Sequence, residues 1–339
     1  MKNLCKILIL FPFFLFIMPE QGRAQTLYSS APQVGLTSAT VENILLLQNM
    51  RDTDRSCIGK TSWALGYGSG GYTHGETDIS QNFGGFLVGT DLNIGIDSRV
   101  GAFFAFNASE QLATVSENNV LRGEENDTNH YFWGFYGRKD YEYCYFLGTA
   151  ALGYAHTRET LQNTATSSTS PTFPDSVGKS DTFRAFLYGE IGTEFRFGSF
   201  SLQPFWGLQY YYSDFSSMTL SDSTPPGALP GTPGLGNLNL GSAQLDSLRN
   251  IIALRLAHTF LIHDTETFSL HCTGFWYHEF LDGDTTGNGL TPNIGRDWAA
   301  LAPTVEWQRG NLKLWAGYLA LFNDRTAQQL GHAGVAFCW

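Results

Sequence analysis

The connections in this chain alternate in length, and that alternation constrains the fold more than any single motif does. From residue 61 onward the sequence divides into twelve segments of period-two hydrophobicity: 61–72, 82–94, 98–110, 126–139, 141–157, 181–197, 200–214, 245–262, 265–280, 297–308, 311–323 and 328–339. Short turns fall at Gly95-Ile96-Asp97, Asp140, Gly198-Ser199, Asp264-Thr265 and Arg309-Gly310. Between them lie longer polar connections, Thr73–Gln81, Gln111–Glu125, Arg158–Ser180, Phe215–Gln244 and Asp282–Ile294, with Asn323–Ala327 the one short member of that set. Successive side chains on a strand point to opposite faces. Val100, Ala102, Phe104, Phe106 and Ala108 therefore share one face, and Gly101, Phe103, Ala105, Asn107 and Ser109 the other. Short turns on one rim and long loops on the other are the pattern of a membrane-spanning β-barrel, and an even strand number puts both ends of the barrel on the short-turn rim.

The N-terminus fits that compartment. Lys2 and Lys6 precede the apolar run Ile7–Met18, and Gly22-Arg23-Ala24 supplies small residues for cleavage, so residues 1–24 read as a secretory signal. No other apolar run approaches the ~20 residues a spanning helix needs. Charged residues make up only 15% of the chain, below the ~25% usual in soluble domains, while aromatics reach 14%. That balance suits strands whose outer face meets lipid. The net charge is −11, and it becomes more negative once Lys2, Lys6, Arg23 and Glu20 depart. Nucleic acid and anionic lipid surfaces are thereby disfavoured as partners.

The last segment, Leu330–Trp339, alternates cleanly and ends on an aromatic residue. A closing barrel strand must keep such order, because lipid leaves no edge amide solvated. Val335, Phe337 and Trp339 form its outward stripe and are expected to act as the assembly signal. At the other end, Thr37 or Ser38 can cap a helix of about 37–49, with Val41, Ile44, Leu45 and Gln48 on one face and Glu42 in its first turn. Charged residues 50–60 read as a linker, and no second domain or longer repeat is evident. Cys5 leaves with the signal. Cys57, Cys144, Cys272 and Cys338 show no zinc-like spacing, and the last three fall inside expected strands, which favours free thiols over disulfides.

Several motifs, in order, resemble the translocator β-domain of autotransporters, the type V secretion family. They are Trp63-Ala64-Leu65-Gly66-Tyr67-Gly68, Gly84-Gly85-Phe86-Leu87-Val88-Gly89-Thr90-Asp91, Gly134-Phe135-Tyr136-Gly137, Tyr188-Gly189-Glu190-Ile191-Gly192, Leu202–Tyr210 and Ser247-Leu248-Arg249. The resemblance spans 61–339. It implies an all-β, 12-stranded antiparallel transmembrane barrel in the outer membrane, inserted by the barrel-assembly machinery and monomeric, with a helix before the first strand inside the pore. It also implies an exported passenger, for which only about a dozen residues lie between signal and helix here. The expected role is therefore an anchor that displays its long loops. Some members of the family cut themselves at an Asn pair in the pore helix; Asn43 and Asn49 are isolated, so no cleavage is expected.

Charge on a lipid face is costly at mid-depth, so Arg184, Glu190, Glu194, Arg196, Arg249 and Arg255 are expected to face the lumen. There they would set ion selectivity, hold the helix or simply pair with one another. Trp63, Trp133, Trp206, Trp298, Trp307, Trp315 and Trp339 suit interfacial girdles. Two other classes stay open, a pore for small solutes and a barrel enzyme with a loop-borne site. Against the enzyme, His263-Asp264 and His278-Glu279 are sequence neighbours that point to opposite faces, and no Gly-x-Ser-x-Gly occurs. No catalytic residue, cofactor or metal ligand is expected.

Overall fold

The computed structural model describes residues 31–51, 59–74, 77–95, 97–117, 120–164, 176–222, 238–240, 242–281, 285–287 and 296–339. The signal segment 1–24, Cys57 with most of its linker, and the Pro/Gly-rich stretch 225–236 lie outside the described residues. Helix α1 (Ala31–Arg51) is followed by twelve barrel strands: β1 (Lys60–Thr73), β2 (Thr77–Asn93), β3 (Ser98–Glu117), β4 (Val120–Asp140), β5 (Tyr145–Thr164) and β6 (Ser176–Gly192), then β7 (Phe200–Phe215), β8 (Ala243–His263), β9 (Glu266–Glu279), β10 (Asp297–Arg309), β11 (Leu312–Phe322) and β12 (Thr326–Cys338). Every strand pairs antiparallel with its sequence neighbours, and β12 pairs with β1 from Thr326↔Thr73 to Cys338↔Thr61. The sheet is closed, so no edge is left to solvate.

Three of the short turns carry Gly95, Gly198 and Gly310 at φ of 73°, 64° and 54°. Open space surrounds each of them, so the left-handed backbone of a tight turn, not room for a side chain, selects glycine. The opposite rim differs from the sequence expectation. The connection expected over Gln111–Glu125 is almost entirely strand, because β3 and β4 pair out to Glu117↔Val120. Likewise β5 runs to Thr164 and β6 starts at Ser176. Hydrophobicity marks only the part of a strand that meets lipid, whereas the backbone ladder continues into polar sequence at no cost. In the long connections that remain, Met218–Asp222 pairs with Leu238–Leu240 and Thr285–Gly287 with β8.

The outward face carries Val88, Phe104, Phe135, Leu152, Leu187, Leu254, Leu301 and Leu314, all exposed. The inward face is polar or aromatic and buried. Five inward aromatic rings lie over glycines directly opposite on the neighbouring strand: Trp63 over Gly89, Tyr136 over Gly101, Phe132 over Gly153, Tyr145 over Gly192 and Trp315 over Gly334. A Cβ at any of these glycines would come within 2.3–2.6 Å of the ring.

Two groups of residues depart from expectation. Trp63, Trp298 and Trp315 are buried inside the barrel and do not join an outer girdle, although Trp133 and Trp339 are exposed. In β1 the large side chains Trp63, Leu65 and Tyr67 share one face and Ala64, Gly66, Gly68 and Gly70 the other, and here the large face turns inward, where the Trp63 indole donates to the Tyr136 hydroxyl at 2.7 Å. Among the cysteines, Cys272 is free, as expected, but Cys144 and Cys338 are disulfide-bonded. Cys144 also sits in the turn before β5 and not within a strand, which frees its side chain from the ladder's alternation.

Candidate functional site: the helix-filled lumen

Helix α1 is longer than expected and begins six residues earlier, at Ala31, with Pro32 in its first turn, where the missing N–H costs nothing. Glu42, expected near the N-terminus, lies mid-helix. At 21 residues the helix is ~32 Å long. Every side chain from Leu36 to Leu47 is buried, at 0–5% exposure. A helix covered all round is enclosed, and the run Ile44-Leu45-Leu46-Leu47 has its reason here. Those residues share one apolar cluster with the inward rings of Trp63, Phe132, Phe205 and Phe275.

Polar contacts tie the helix to opposite walls. From the β1 side, the Tyr67 hydroxyl donates to Glu42 Oε1 at 2.6 Å. On β3, the Asn107 amide donates to Ser38 Oγ at 2.9 Å and to Glu42 Oε1 at 3.2 Å. From the far wall, Gln209 of β7 and Arg249 of β8 both donate to Thr40 Oγ1, at 3.0 and 2.9 Å. Thr40 passes its own proton back to the Leu36 carbonyl at 2.8 Å. Its hydroxyl is thus fully used, and strands from both sides of the barrel grip one turn of helix.

Of the six expected lumen charges, Arg184, Glu190, Arg249 and Arg255 are buried. Arg249 Nε pairs with Glu279 Oε2 at 2.9 Å, and Ser247 donates to the same carboxylate oxygen at 2.5 Å. Glu190 is held by two phenols, Tyr145 at 2.9 Å and Tyr188 at 2.5 Å. Near the C-terminal turn of α1, Arg255 donates to His271 Nδ1 at 2.9 Å, and Lys313 pairs with Glu306 at 2.7 Å. These groups and Gln48 line one small cavity, which places cations beside the negative end of the helix. Glu194 and Arg196 lie elsewhere. The ladder of β6 with β7 runs on in the same register through Phe195–Phe197, from Gly192↔Phe205 to Arg196↔Ser201, so both keep the inward phase, but they sit at the short-turn rim and pair with each other at 3.0 Å with Arg196 62% exposed. Val335, Phe337 and Trp339 are exposed on the outward face of β12.

One buried arrangement resembles a catalytic pair without being one. Ser109 Oγ lies 3.0 Å from His130 Nε2, and the guanidinium of Arg184 contacts His130 Nδ1. An arginine can only donate, so Nδ1 accepts and Nε2–H must donate to the serine. The imidazole therefore has no free lone pair with which to take the serine proton. Two His–Asp pairs that sequence reading missed, His156–Asp181 and His278–Asp297, both at 2.9 Å, join adjacent strands on the outside. Their members are 25 and 19 residues apart, so only strand register could have revealed them. Among the described residues no group of His, Cys, Asp and Glu is arranged to hold a metal ion.

Several solved structures share this architecture. The translocator domain of the autotransporter NalP from Neisseria meningitidis aligns with a TM-score of 0.68 at 16% identity, covering 91% of this chain and 98% of that one. The β-domain of the Bordetella autotransporter BrkA aligns at 0.58 with 14% identity, over 83% of this chain and 100% of that one. The transport unit of AIDA-I from Escherichia coli aligns at 0.52 with 10% identity, over 85% and 93%. At such identities these likenesses speak for the fold alone. No curated protein sequence matches the chain. The autotransporter β-domain family model matches residues 62–319, which is most of the barrel from the first residues of β1 to the middle of β11. With twelve strands closed around one buried helix and that match along them, this chain belongs to the autotransporter β-domain family.

Proposed function

We propose that the protein is an outer-membrane anchor whose lumen is closed by α1 and whose long-side connections are displayed at the cell surface. The complete burial of Leu36–Leu47 between opposite walls carries this reading. A solute pore needs a continuous polar path, and here the leucines of the helix and the fully bonded Thr40 hydroxyl take the space between the walls. Single-channel conductance of the refolded protein tests the proposal. The intact chain is expected to conduct weakly, and a chain lacking residues 25–60 to conduct severalfold more. A large conductance from both forms would make it an open pore.

Assembly is proposed to depend on the outward stripe of β12. Val335, Phe337 and Trp339 are 40%, 51% and 63% exposed with no protein to cover them, and β12 supplies the strand that seals the barrel against β1. Replacing Phe337 and Trp339 by alanine is expected to cut the folded outer-membrane population severalfold. The readout is the band that shifts mobility on heating. Unchanged yields would remove these residues from the assembly role.

A further inference from the structure

One guanidinium in the lumen has no acid beside it. Arg249, Arg138 and Lys313 each meet a carboxylate, at 2.9, 2.8 and 2.7 Å. Arg184 is fully buried, yet among the described residues no carboxylate lies within 4.0 Å of it. Its side chain leaves β6, crosses β5 where the register presents Gly153 and Ala155, and reaches His130 of β4 with one nitrogen. Nε and Nη2 make no hydrogen bond. The hydroxyls of Thr182 on β6 and of Tyr211 and Ser213 on β7 are fully buried and equally without a partner. Register puts Ser213 directly opposite Arg184, with Thr182 and Tyr211 at the adjacent inward positions. A guanidinium only donates, so its remaining N–H groups need acceptors.

The counter-charge is on the helix. Between Ala31 and Met50, Glu42 is the one charged residue of α1. Asn107 donates to its carboxylate, and register sets Asn107 beside His130, the residue that Arg184 contacts. Among the described carboxylates, Glu42 is the one whose charge bears on Arg184. His130 adds no charge, since its Nδ1 accepts and its Nε2–H donates to Ser109. One cation and one carboxylate therefore balance, and a bound anion would upset the balance. Water, neutral and able both to accept and to donate, suits a site with several converging polar groups.

We propose that ordered water joins Arg184 to Thr182, Tyr211 and Ser213, and that Arg184 and Glu42 form a through-space ion pair that fixes the depth of α1 in the lumen. Sliding the helix by one turn, ~5.4 Å, would carry its single charge away from Tyr67, Asn107 and Arg184 together. Arg184 is thus a positioning residue that acts on the helix without a hydrogen bond to it. The proposal rests on the closed-lumen reading above.

The experiment is a double-mutant cycle on the refolded full chain, with Glu42→Gln, Arg184→Gln and both together, read as single-channel open probability. Each single variant strands the opposite charge beside the helix and is expected to raise open probability about tenfold. The double variant removes both charges and is expected to return to within about twofold of wild type. Effects that simply multiply in the double variant would overturn the ion pair. Where Arg184→Gln does not fold, Arg184→Lys decides, since it keeps the charge and is expected to stay closed. A tenfold opening of that lysine variant would overturn the role of charge. Replacing chloride by gluconate at equal ionic strength is expected to leave the wild type unchanged, whereas opening in gluconate would make the ligand chloride and overturn the neutral site. A wild type that is already open would count against the closed lumen alone. The guanidinium-chloride unfolding midpoints of the same four proteins then read the pair, additive shifts overturning it and a rescued double variant supporting it.

Discussion

Arg249→Ala is expected to destabilise the folded barrel by about 3–5 kcal/mol, measured as a shift in guanidinium unfolding in lipid vesicles. Arg249 and Glu279 are 3% and 5% exposed, so removing the guanidinium strands a buried carboxylate beside Ser247. It also removes one of the two donors to Thr40. The penalty is therefore for leaving a charge uncompensated, not for losing the attraction between two ions. An Arg249→Met/Glu279→Leu pair is expected to recover most of the loss, since both charges then depart together. A loss below about 1 kcal/mol for the single variant would mean that lumen water solvates Glu279. In that case α1 is held by packing alone.

The second large effect lies on the other face. Leu254 sits in the run Ile252, Leu254 and Leu256 on the outside of β8, with Pro204 and Gly274 as its cross-strand neighbours. Leu254→Arg is expected to cost about 2–4 kcal/mol in a bilayer, against about 0–1 kcal/mol for Phe260→Arg, on the same outward face nearer the short-turn rim. The pair of variants reads depth and not simply charge. Equal costs at both positions would shift the apolar band away from where the outward leucines place it.

How much of this was legible beforehand depends on which physical signal each feature leaves in a single chain. The faces of β3, β4 and β7 were readable because one face is large and apolar and the other is not. The burial of Arg184 and Arg249 agrees with the alternation of their strands, since charge is expelled from the lipid side. Strand ends were not readable, because a ladder continues through polar residues such as Thr114 and Glu124 once lipid is left behind. For Glu194 and Arg196 the alternation gives the phase but not the depth, and they come to lie at the rim, where Arg196 meets solvent. The grip on the helix was invisible too. Thr40 meets residues 169 and 209 positions away, and no local rule links them. The extent of α1 followed from enclosure, where a capping threonine is only a weak guide.

The rings lying over glycines carry a consequence for how such a sequence can drift. Shrinking Trp63 alone opens a void, and enlarging Gly89 alone drives atoms into the ring. Either change first is penalised, whereas the two together restore the filled volume. Their energies cannot add, since the positions share one contact. The five pairs therefore behave as five indivisible characters, each inherited whole or exchanged whole. Because every pair bridges two neighbouring strands, the seam between those strands is inherited with it.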